Sequence, residues 1–170
     1  PPDTGHIPEI AGVLNRYADA VRDITRSLSS RSLDQAARVV WDQQDLHTRL
    51  TSLGLVSFIS DGTRPARDIT QHRCWYRVAG PKQGVHIPFT CPSALDPVEV
   101  EGAGTGATIT GLGIRQREVF AITGANAEGK TSLLEAILSG EDDHAAGDGR
   151  EHLVTVPGVV RVDATNRDIR

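Results

Sequence analysis

Methionine is absent from the 170 residues and lysine nearly so, with Lys82 and Lys130 standing against sixteen arginines. A chain with no methionine that opens Pro1-Pro2 reads as a fragment of a longer protein. No apolar run approaches membrane-spanning length, and the N-terminus lacks the basic-then-apolar layout of a signal peptide. A cytoplasmic protein with no membrane partner is therefore expected. The two cysteines, Cys74 and Cys91, have neither C-x-x-C spacing nor a neighbouring histidine pair, so both are expected as packed, reduced thiols. His144 and His152 are the closest histidines, and eight residues apart is not a zinc pattern. Asp142, Asp143 and Asp148 lack EF-hand spacing, which argues against a calcium loop. A net charge of −4 excludes an overall basic face, though Arg64, Arg67 and Arg73 could form a local polyanion contact in what otherwise reads as a solvated loop.

What the chain does carry is centred on Val119 to Leu138, VFAITGANAEGKTSLLEAIL. A β-prone run, Val119 to Thr123, leads into a glycine-opened turn, and a helix with Leu133, Leu134, Ile137 and Leu138 leaves it. Gly124, Gly129, Lys130 and Thr131 fit G-x-x-x-x-G-K-[ST], the phosphate loop in which main-chain N–H groups wrap phosphates, lysine reaches the β/γ-phosphates and the hydroxyl ligates Mg²⁺. The start of the helix adds donors and the positive end of its dipole. Lysine's position is informative because the composition otherwise prefers arginine, whose broad fork cannot replace a compact ammonium in such a loop. The expected nucleotide-binding residues are Gly124, Ala125, Asn126, Ala127, Glu128, Gly129, Lys130, Thr131 and Ser132, with Lys130 catalytic and Thr131 on the metal. Glu128 brings a carboxylate close to the phosphates and is expected to point outward, since inward it would oppose anion binding.

Around this centre the chain reads as mixed α and β. Ile10, Leu14, Tyr17, Val21, Ile24 and Leu28 form one stripe of a helix from about Glu9, expected to pack within its own domain. A second helix, with Ser32 and Gln35 at capping-box spacing, runs to about Leu50 and uses Ala36, Ala37, Val40, Leu46 and Leu50 as its apolar side, with Gly54 closing it. Strands are expected at Leu55 to Ile59, Cys74 to Val78, Val85 to Phe89, Val98 to Glu101, Ala107 to Thr110, Leu153 to Val156 and Val159 to Val162, the last two paired around Pro157-Gly158. GAGTGA at Gly102 to Ala107 precedes an alternating strand pattern, so it is read as an antiparallel turn and not as a dinucleotide fingerprint.

The loop GANAEGKTSLLEAI, with its internal asparagine, resembles that of ATP-binding-cassette (ABC) ATPases and the related DNA-repair and chromosome-maintenance ATPases. With GLVSFISDGTRPAR (Gly54 to Arg67), IPFTCPSALDPVEV (Ile87 to Val100), TGLGI and GDGREHLVT (Gly147 to Thr155), it is similar to the family of predicted ATPases of the ABC class. The resemblance implies an α/β fold: an N-terminal helical or αβ domain over 1–90, then the truncated first part of an ABC-type P-loop domain with an antiparallel β entry over 91–170. It implies ATP and Mg²⁺ as ligands, hydrolysis in the parent chain, a homodimer of the full-length ATPase, and weak binding without turnover by this span alone. A nucleotide-dependent switch without turnover, and a nucleic-acid-associated ATPase, stand as alternatives.

Overall fold

The computed structural model describes residues 7–27, 29–65, 67–69, 76–78, 87–126 and 128–162. The chain divides into two compact units, Pro1–Gln35 and Ala36–Arg170. The first carries helix α1, Ile7–Ser27, and the start of helix α2, Ser30–Arg49. Ile10, Leu14, Tyr17, Val21 and Ile24 of α1 are all exposed, so the stripe is not the packed face its period suggested. Helix α2 begins two residues before the expected capping box. Ser29, not Ser32, caps it: the Ser29 hydroxyl accepts the Ser32 N–H at 3.1 Å and pairs with the Ser32 hydroxyl at 2.8 Å.

The second unit is built on strands β1 (Leu55–Ser60), β4 (Val98–Glu101), β5 (Thr108–Arg115) and β6 (Leu153–Thr155), in the sheet order β4-β5-β1-β6. Every pairing is antiparallel, with Ile59 opposite Leu112 on one side of β1 and Leu153 on the other. Because β1 precedes residue 90 and its partners follow it, the sheet straddles the boundary expected there. Strands β2 (Arg67–Ile69) and β3 (Tyr76–Val78) form a separate antiparallel pair, and β2 lies within the basic stretch expected to be loop. Cys74 and Val85 lie outside the described residues. Ile87 to Phe89 is not a strand, although the Phe89 N–H donates to the Thr63 carbonyl at 2.7 Å.

Helices cover both faces of the sheet. Leu46 and Leu50 of α2 pack on Leu55, Phe58, Val100, Ile109 and Val154, while Ala136 and Ile137 of helix α3 (Lys130–Ser139) pack on Ile59, Ile114 and Leu153. Strand β1 is buried along almost its whole length, as expected of a central strand covered on both sides. Each fully buried side chain of this kind stabilises the fold by about 1.5–3 kcal/mol. The exceptions inside β1 are Ser57, whose hydroxyl meets that of Thr155 on β6 at 2.9 Å, and Ser60, whose hydroxyl meets that of Thr63 at 3.1 Å.

Two polar side chains on the buried side of α2 tie it to the loops at the sheet ends. Gln43 exchanges two hydrogen bonds with the His144 backbone, donating to its carbonyl at 2.7 Å and accepting its N–H at 2.6 Å. Asp42, fully buried, accepts the Gly104 and Thr105 N–H groups at 2.7 and 3.1 Å and the Thr105 hydroxyl at 2.7 Å, with His152 Nε2 at 3.4 Å. Burial alone would raise its pKa. The hydrogen bonds from Thr105, Gly104 and His152 outweigh burial and hold the carboxyl below its ordinary value. GAGTGA is thus a β4–β5 turn, as read, folded around this carboxylate.

The GDGRE stretch braces the α3–β6 connection. Asp148 accepts from Arg150 Nε at 2.7 Å, Arg150 Nη1 donates to the Ser139 hydroxyl at 2.8 Å, and the Gly149 carbonyl accepts the Arg64 N–H at 2.7 Å. Val159 to Val162 does not pair back on β6, which among the described residues pairs with β1 alone. Val160 and Val162 are exposed, and the Val159 N–H donates to Glu141. Cys91 is a buried free thiol, its pKa pushed up by burial and by the Asp61 charge.

Asp42→Asn is expected to cost about 1–3 kcal/mol at pH 7, because it weakens hydrogen bonds to a buried carboxylate. The folded-state pKa of Asp42 is depressed, so its electrostatic stabilisation is fully present above the unfolded value near pH 4 and is lost as pH falls through the folded value. Urea unfolding at pH 7 and at pH 3 should therefore show the wild-type advantage narrowing in acid.

Candidate functional site

Helix α3 is held at its far end by β6. The Thr155 N–H donates to the Gly140 carbonyl at 2.8 Å and the Thr155 hydroxyl to the Ile137 carbonyl at 2.7 Å. The approach needs glycine at 140, since a Cβ there would lie 2.6 Å from Leu153 Cδ2 and 2.7 Å from Thr155 Oγ1. With the C-terminal end fixed, the N-terminal end presents the loop from Gly124 to Lys130.

The loop turns on two glycines with positive φ, Gly124 at 146° and Gly129 at 82°. Gly129 is the N-cap of α3 and brings no side chain to the first-turn amides, which are left for another acceptor. Lys130, the first residue of the helix, folds back so that its amine donates to the Gly124 carbonyl at 2.7 Å and to the Ala125 carbonyl. Thr131 is exposed and Ser132 half-buried in the same turn; Asn126 is exposed, and Ala127 lies outside the described residues. The structure therefore gathers Gly124, Ala125, Gly129, Lys130, Thr131 and Ser132 at one helix end.

Glu128 departs from expectation. Its carboxylate does not point outward: Oε2 accepts the Ala125 N–H at 2.6 Å, within the loop. The approach to the loop departs too. Val119 to Thr123 is not a strand, and no strand pairs with it among the described residues. Val119 is 98% exposed, and Phe120 and Ile122 line one wall of an open, mainly apolar groove of about 610 Å³ whose other walls include Phe89, Leu112, Ile114 and Leu133.

The expected arginine contact falls largely outside the described residues. Arg64 is half-buried with its backbone on Gly149, the Arg67 side chain is not among those described, and Arg73 lies outside the described residues. Asp42 and Gln43, which hold the loops behind α3, escaped the sequence reading. A signal was available, because Gln43 shares the spacing of Leu46 and Leu50, and a polar residue on that stripe needs a buried partner.

A glycine-hinged loop delivering a lysine to a helix start, behind an antiparallel sheet, defines a P-loop domain. The chain belongs to the ABC_ATPase family, whose P-loop domain model matches residues 29–170. It is 40% identical, over 161 residues, to an uncharacterized protein of Methanocaldococcus jannaschii, a match covering 95% of this chain and 36% of that protein. The chain thus spans about a third of the length of this curated relative. Family membership points to nucleotide binding. Among the described residues no helix is long and apolar enough to cross a membrane.

A Cβ at Gly129 would meet nothing within 4 Å, so the cost of Gly129→Ala is purely the left-handed backbone. That substitution should lower stability by about 1–2 kcal/mol, measured by chemical denaturation.

Proposed function

We propose that this chain carries the nucleotide-binding loop of an ATPase, taking Mg-ATP through Gly124 to Thr131 and serving hydrolysis in the full-length protein. The observation that supports this best is the loop itself. Its two left-handed glycines lead directly into an α3 start without a side-chain cap, with the only lysine among the described residues folded over it.

In this reading the amides from Ala125 to Lys130 and the first-turn N–H groups of α3 hold phosphate oxygens. Lys130 leaves the two loop carbonyls and bridges the phosphates, and Ser132 offers a further hydroxyl. The donor set fits a magnesium-bound polyphosphate: main-chain N–H groups and an ammonium for the anion, and the exposed Thr131 hydroxyl for the cation. Bound there, Mg²⁺ would neutralise charge on the β and γ oxygens. The residues' own contribution is positioning and charge stabilisation, since phosphoryl transfer needs little covalent help from protein.

Lys130→Ala in the full-length protein is expected to weaken ATP binding at least tenfold and to abolish turnover, read by isothermal titration and phosphate release. A lysine variant that binds and hydrolyses ATP like the wild type would overturn the proposal. Wild-type binding that depends on Lys130 but brings no turnover would identify a nucleotide-dependent switch.

A further inference from the structure

The loop in this structure is closed by its own charges. The Ala125 N–H, one of the donors assigned above to a phosphate oxygen, points at Glu128 Oε2 at 2.6 Å. The carboxylate sits so close over Gly124 that a Cβ there would lie 2.4 Å from Oε2, and Gly124 keeps a φ of 146° beneath it. Lys130, the cation that would meet the phosphates, is turned onto the Gly124 and Ala125 carbonyls. An internal anion thus uses a donor suited to a phosphate oxygen, while the loop's cation is satisfied by the loop's own main chain.

We infer that Glu128 is a built-in competitor for polyphosphate: its carboxylate holds the Ala125 amide, and a nucleotide enters only by displacing it. The inference rests on the nucleotide reading and adds to it a control on affinity. Two effects act in the same direction. A charge-assisted hydrogen bond of this length is stronger than a neutral one and must be given up when ligand enters. An anion within a few ångströms of an arriving phosphate also repels it. With a neutral side chain the repulsion vanishes and the hydrogen bond loses its charge assistance, and neither effect acts on a ligand that lacks phosphate. The control is therefore specific to the phosphate part of the ligand.

The test compares full-length wild type, Glu128→Gln and Glu128→Ala, each checked for folding by circular dichroism, in titrations with Mg-ATP, pyrophosphate and adenosine. Both variants are expected to bind ATP and pyrophosphate about tenfold more tightly than wild type, with adenosine unchanged. Affinities for pyrophosphate that stay level or fall in the folded variants would overturn the inference, as would an equal gain for adenosine. In the wild type, independently of any variant, the Glu128 carboxyl resonance should shift on saturation with pyrophosphate, and a resonance that stays in place overturns displacement. If neither ATP nor pyrophosphate binds to wild type or to either variant, the nucleotide reading itself falls; binding to wild type that the variants do not strengthen removes the Glu128 inference alone.

Discussion

The architecture depends on how one end of a short helix is held. Thr155 spends its N–H on Gly140 and its hydroxyl on Ile137, while Ser57 of the neighbouring strand meets that same hydroxyl. These contacts are buried, so any loosening would leave unpaired polar groups in a region where water cannot compensate. They fix the C-terminal end of α3 against the sheet. A ten-residue helix is about 15 Å long, and with one end fixed the direction of the other follows. The loop therefore has a fixed exit, because the helix that leaves it is anchored.

The same logic explains why polar residues crowd the opposite side of the sheet. Asp42 and Gln43 place a carboxylate and an amide where an apolar pattern would place leucine, and each satisfies main-chain groups in a connection that has no ladder to serve them. The turn between β4 and β5 and the stretch around His144 are thereby tied to α2. GDGRE continues the arrangement, with Arg150 linking Asp148 to the end of α3. The acidic, glycine-bearing segment is a loop. What composition could not convey is that Asp148 and Arg150 brace the end of the helix.

The parts of the molecule legible in the sequence are those governed by local rules. Glycines at fixed intervals before a lysine, a closing Gly54 with φ of 73°, and the alternation in β4 and β5 all express backbone preferences within a few residues. The failures are of another kind. Ser32 with Gln35 has capping spacing, yet Ser29 offers the same chemistry three residues earlier and takes the role. β2 formed in a basic stretch because Tyr76–Val78 was there to pair with it. Val159 to Val162 has strand composition but pairs with no strand among the described residues. Pairing partners are non-local, and composition alone does not name them.

Val119 to Thr123 carries this point to the site itself. Its residues are as β-prone as those of β1, which is buried between two partners. A strand, however, is defined by a ladder, and the main-chain groups of these five residues join none among the described residues. That leaves the entry to the phosphate loop secured from one direction only. On the exit side α3 is tied to β6 through buried hydrogen bonds; on the entry side Ile122 touches the core while Val119 is almost fully exposed. Within this loop Glu128 and Lys130 both contact the loop's own main chain. The proposed grip on phosphate would therefore depend on two separable things: the glycines and the helix start, which local sequence dictates, and the support of the entering segment, which depends on what pairs with it.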